Sequence, residues 1–164
     1  MRLDDMGITF KDLYENKECR KLIPRESGVY CVKVPDGMEV KFKKIPDGTQ
    51  KTHNSGDLDN IYDKVVEKWN TLIQNNADTT ILYYGKAKNL RTRIMQYVRF
   101  GYNEVDNHAG GRAIWYIEDN KILEVEFHVT SDYENEEARL INEYENMYNS
   151  KPLANINKGR TKLF

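Results

Sequence analysis

The chain has 164 residues, 39% of them hydrophobic and 31% charged, with a formal net charge of -1; that is enough for one compact core and short for two. Ten glycines and four prolines leave no room for long disordered or low-complexity tracts, and Cys19 and Cys31, without CxxC or Cys/His spacing, give neither a zinc site nor a disulfide framework. No apolar run approaches the roughly 20 residues of a membrane span, and the start MRLDDMGITF carries acids where a signal peptide has bases, so a soluble, cytoplasmic protein is expected.

Residues 1–25 show little periodicity beyond a possible short helix from Phe10 to Tyr14 and read as an N-terminal arm. Val29 to Val34 reads as a strand, with Tyr30, Val32 and Val34 on one face. Pro35, Asp36 and Gly37 signal a turn, after which Met38, Val40 and Phe42 alternate with polar residues and predict a hairpin partner. Asp57 can cap a helix whose apolar positions Leu58, Ile61, Val65, Trp69, Leu72 and Ile73 recur at three and four, ending at Asn75 and Asn76.

Thr79 to Tyr84 predicts a second central strand. Asn89 can cap a helix over about 90–100, with Leu90, Ile94 and Val98 inward and Gly101 as its stop. HAGGR at 108–112 is a glycine-rich turn before an apolar segment, Ala113 to Ile117, whose type the pattern leaves open. Leu123, Val125, Phe127 and Val129 alternate as the inward face of a third strand, and a last helix is predicted from about Glu134 to Asn149, before Pro152. The expected class is α+β, a small, mainly antiparallel three-stranded central sheet flanked by helices.

The near-zero net charge hides segregation along the chain. Residues 86–112 hold six bases (Lys86, Lys88, Arg91, Arg93, Arg99, Arg112) against two acids, and residues 151–164 hold four bases and no acid. Residues 113–150 hold ten acids against two bases. A polyanion would be drawn to the basic blocks rather than repelled by the total; the plainer reading of such blocks is solvated faces.

Two short motifs give these patterns an order. Gly28, Val29 and Tyr30 are followed later by Tyr83, Tyr84 and Gly85, which lead at once into KAKNLRTR, and an EYENMYNSKPLAN run lies near the end. Together they resemble the GIY-YIG nuclease family over residues 27–34 and 81–157. The resemblance implies one GIY-YIG domain over 1–164, with residues 36–78 as a strand-plus-helix insertion between the tyrosine motifs, a plan closest to compact restriction enzymes of that family.

The resemblance also implies roles. Tyr30 and Tyr83 would stand on neighbouring strands facing one site, with Lys86 favouring the phenolate; a phenol of pKa near 10 is only about one part in a thousand ionised at pH 7. Arg93 takes the family's arginine position, a fork of donors for a phosphate, and Tyr97, four residues on, shares its helical face. Glu143 is the chosen ligand for one Mg2+ or Mn2+ ion, with Glu137 as the rival carboxylate, and Asn155 would order the terminus around the site.

Lys88, Arg91, His108, Gly110, Gly111, Arg112, Lys158 and Arg160 are the candidate nucleic-acid contacts. The expected function is a metal-dependent DNA endonuclease, site-specific and of restriction or mobile-element type, with DNA as partner and a homodimer as a further possibility. A repair-type nuclease, a non-catalytic nucleic-acid-binding module and a protein-interaction domain stay open. Against the site reading stands the plain one, in which both tyrosines are strand aromatics packing a core.

Overall fold

The computed structural model describes residues 7–48, 55–104 and 111–155, and of residues 55–60 the backbone alone. In chain order the elements are β1 (Ile8–Thr9), α1 (Phe10–Glu15), α2 (Lys17–Lys21), β2 (Gly28–Lys33), α3 (Ser55–Gln74), β3 (Ile81–Ala87), α4 (Leu90–Gly101), two 3-10 turns (Arg112–Tyr116 and Asn120–Ile122), β4 (Glu124–Val129) and α5 (Tyr133–Tyr148). The class is α+β. No helix among the described residues is long and apolar enough to cross a membrane.

The sheet has four antiparallel strands rather than three, in the order β1-β4-β2-β3. The addition is β1, whose two residues pair with Val125 and Glu124 of β4 and are too few to show an alternation. Thr9 then caps α1: its hydroxyl accepts from the Asp12 amide while the Asp12 carboxylate accepts from the Thr9 amide, a reciprocal cap that satisfies two orphan donors.

The predicted hairpin partner over Met38 to Phe42 does not form. Phe42 makes a single bridge to Ile117, and the Lys43 amide donates to the Tyr116 carbonyl at 2.7 Å while the Glu118 amide donates to the Lys41 carbonyl at 2.8 Å. Met38, Val40 and Phe42 alternate because they pack against the core, and the backbone there follows the buried 3-10 turn instead of β2. Ala113 to Ile117 is almost wholly buried, which explains its unbroken apolar run.

The pleat separates two faces of the sheet. Tyr30 and Val32 of β2, Tyr83 of β3, and Val125 and Phe127 of β4 lie on one face, which α1, α4 and Trp115 cover with Phe10, Leu13, Ile94, Tyr97 and Val98. Burying each large apolar side chain of this set contributes about 1.5–3 kcal/mol. The other face carries Cys31, Lys33, Tyr84, Glu126 and His128 under α5, which leaves a cavity of ≈ 430 Å³ against Glu136 and Leu140.

Asn89 caps α4 as expected, accepting from the Thr92 amide at 3.1 Å. Helix α3 buries Val65 and Leu72 but leaves Ile73 exposed. The expected Asp57 cap falls inside α3, which starts at Ser55.

Gly28 is fixed by the packing of β2 against β4. A Cβ there would lie 2.2 Å from the His128 carbonyl oxygen and 2.8 Å from Leu90 Cδ1. Gly28→Ala is therefore expected to lower stability by about 1–3 kcal/mol, read as a lower urea midpoint, because a backbone carbonyl cannot swing aside as a side chain can. An unchanged midpoint would show that the two strands part freely.

Candidate functional site

The register between β2 and β3 sets Tyr30 opposite Gly85 and Val32 opposite Tyr83, so Tyr30 and Tyr83 are diagonal neighbours on one face. Helix α4 adds Tyr97. The ring centroids lie 6.0 Å apart for Tyr30 and Tyr83, 6.4 Å for Tyr30 and Tyr97, and 5.5 Å for Tyr83 and Tyr97. All three rings are buried, Tyr97 completely.

Two glycines make room for the phenols. A Cβ on Gly85 would lie 2.3 Å from Tyr30 Cζ and 2.6 Å from its hydroxyl oxygen, so Tyr30 lies across β3 where any other residue would stand. A Cβ on Gly111 would lie 2.2 Å from the Tyr97 hydroxyl, whose proton goes to the Gly111 carbonyl at 2.6 Å. The close approach described at Gly111 is thus to a phenol.

The phenols are protonated at neutral pH. Burial pushes Tyr83 up to about 12, with the nearby Glu137 carboxylate adding to the rise and Arg93 opposing it. Burial likewise raises Tyr30 and Tyr97 well above the usual phenol value, and the Arg93 guanidinium works against the rise in both. A hydrogen bond joins the Tyr30 and Tyr83 hydroxyls. Arg93 thus faces all three phenols, and its Nη1 also donates to Gln96 Oε1 at 2.9 Å.

Lys86 does not take the place expected of it. It alternates to the other face of β3 from Tyr83, where its ammonium lies 3.7 Å from Glu134 and 4.0 Å from Glu137 of α5. The cation beside the phenols is Arg93. Lys86 instead faces the α5 carboxylate that lies within electrostatic reach of Tyr83.

The two rival glutamates are separated by the geometry of α5. Six residues apart, they point about 120° away from each other and sit ~9 Å apart along the axis. Glu137 has a side chain 16% exposed. Glu143 is 61% exposed and its carboxylate is paired with Arg139 at 2.6 Å, so of the two it is Glu137 that turns toward β3 and acts on Tyr83. The signal was in the sequence: Tyr133, Glu137, Ile141, Tyr144 and Tyr148 recur at four and three and form the inward stripe.

Asn155 binds backbone rather than an open site. Its Oδ1 accepts from the Tyr84 amide and its Nδ2 donates to the Tyr84 carbonyl, both at 2.9 Å, in the manner of one more strand residue. Arg91 donates to the carbonyls of Ile23 at 2.8 Å and Lys21 at 3.4 Å, and so ties the segment before β2 to α4. Lys88 is exposed beside the α4 N-terminus. Arg112 is half-buried, and burial lowers its pKa. His108, Gly110, Lys158 and Arg160 lie outside the described residues.

Tyr97→Phe is expected to cost about 1–3 kcal/mol in denaturant unfolding, because it strands the buried Gly111 carbonyl without its donor. A loss below about 0.5 kcal/mol would mean that the carbonyl readily finds another donor.

Compared with protein-family models, with curated proteins and with solved structures, the chain matches none.

Proposed function

We propose that this protein is a metal-dependent DNA endonuclease of the GIY-YIG type. The observation that carries the reading is the convergence of Tyr30, Tyr83, Arg93 and Tyr97 from two strands and a helix, with Glu137 of a further helix acting on Tyr83. A guanidinium set against three phenols is more than aromatic packing requires. The aromatic positions and the arginine are those that the motif order implied.

Among the described residues no three His, Cys, Asp or Glu side chains gather as a metal group. The donor set fits a site with one carboxylate, Glu137, completed by water and by the substrate's phosphate, as Mg2+ commonly accepts. When bound, the ion supplies Lewis-acid stabilisation of the leaving oxygen. Arg93 offers its donor fork to the nonbridging oxygens, whose charge grows in the transition state. In its minor phenolate form Tyr30 takes one proton from the attacking water and becomes the neutral phenol, with Tyr83 hydrogen-bonded beside it, and Lys86 screens the carboxylates that would repel DNA.

A second reading, a nucleic-acid-binding module without catalysis, is favoured by one observation: Tyr97 is fully buried and Tyr30 nearly so. It keeps the basic surface and drops the reaction.

With Mg2+ or Mn2+ the purified protein is expected to cut plasmid DNA. Glu137→Ala and Arg93→Lys should each lose about 100-fold or more of the cleavage rate while salt-sensitive DNA binding survives. Glu143→Ala should cut like the wild type. Salt-sensitive binding without cleavage by the wild type selects the second reading, and loss of cleavage in Glu143→Ala alone restores the original metal assignment.

The pH profile tests the water-activating phenol. A base with its pKa raised above 10 gains about tenfold in ionised fraction per pH unit below that value. Cleavage at limiting DNA should therefore climb steadily from pH 7 to about 9. A plateau that sets in below pH 8 would exclude Tyr30 as the base.

A further inference from the structure

Helix α3 belongs to the insertion between the two motifs, yet it carries a lysine on its buried stripe. Val65, Lys68 and Leu72 share one face at spacings of three and four, and both neighbours are almost completely buried. The Lys68 ammonium donates to the Pro152 carbonyl and to the Asn155 carbonyl, each at 2.8 Å. The Asn155 amide donates back to the Pro152 carbonyl at 3.0 Å, so a single cation closes the turn over residues 152–155.

That turn lies along β3, the outermost strand on its side of the sheet. The Ala154 amide donates to the Leu82 carbonyl at 2.8 Å, and the Asn155 side chain takes both backbone groups of Tyr84. Leu82 and Tyr84 flank Tyr83 on either side. A continuous chain of hydrogen bonds therefore runs from Lys68 through the 152–155 turn to the backbone that carries Tyr83.

We propose that Lys68 is a positioning residue for this site: through Pro152 and Asn155 it fixes the register and angle of the Tyr83 strand, and it makes α3 a working part of the site. The proposal rests on the endonuclease reading above and specifies how that site is held. Burial and the nearby Lys151 push the Lys68 ammonium down to about 8, with Glu145 acting the other way. An ammonium is retained there by its two carbonyl acceptors, since a charge in such a place is otherwise expelled or neutralised.

The test compares wild type with Lys68→Met in the full chain, by amide hydrogen exchange and by plasmid cleavage with Mg2+. Exchange at the Tyr84 and Ala154 amides is expected to quicken about tenfold or more while the β2 amides stay protected. The cleavage rate at saturating DNA should fall about tenfold with DNA affinity within about twofold, the signature of misplacement rather than lost binding. If Lys68→Met does not fold, Lys68→Gln, which keeps a neutral amide donor group in place of the cation, carries the same comparison.

Unchanged exchange at both amides overturns the proposal, as does faster exchange with an unaltered cleavage rate. If the wild type does not cleave, the endonuclease reading fails on its own, and the exchange result still decides whether Lys68 holds the strand.

Discussion

The structure depends on one close approach, the Tyr30 ring lying across the backbone of Gly85. It requires β2 and β3 to pair in a single register, because a slip of one residue would turn Tyr30 to the opposite face and bring a side chain under the ring. With the register fixed, Tyr83 falls beside Tyr30, and Gly28 falls where β4 and Leu90 leave no space for a Cβ. Helix α4 then enters with its cap already set at Asn89, and Tyr97 completes the cluster from above. The small residues of both motifs are thus steric requirements of the large ones.

Charge is divided between the two faces of the sheet in a way that composition conceals. On one face, Arg93 lies in a nest of phenols. On the other, Lys33 pairs with Glu126 at 3.2 Å, and Lys86 faces the acids of α5. Two cations that stand seven residues apart in one basic run have different surroundings because strand and helix place them by different periods. Glu137 of α5 bears on both sets, 4.0 Å from the Lys86 ammonium and within electrostatic reach of Tyr83.

Much of this was legible in the sequence, and the failures have physical reasons. The three longer strands, α4 with its Asn89 cap and α5 followed from alternation and capping, since each buries one face on one core. The tyrosine pair and Arg93 followed from the order of the motifs. Phe42 and its neighbours misled because alternation reports a buried face and not a partner strand. Spacing from Asn155 pointed to Glu143, whereas the inward stripe of α5 carries Glu137. Lys68 was passed over because a lysine on an apolar stripe declares nothing until its acceptors, more than 80 residues away, fold beside it.

The 152–155 turn has a further consequence for how the molecule can assemble. A β-sheet grows by offering free amides and carbonyls along its outer strands. On the β3 side Asn155 and Ala154 have already taken the groups of Tyr84 and Leu82, and on the opposite side β1 is two residues long. A strand adding along β3 would first have to displace the 152–155 turn from Leu82 and Tyr84. The turn that holds the backbone of Tyr83 in place thus also guards that margin of the sheet against pairing with another chain.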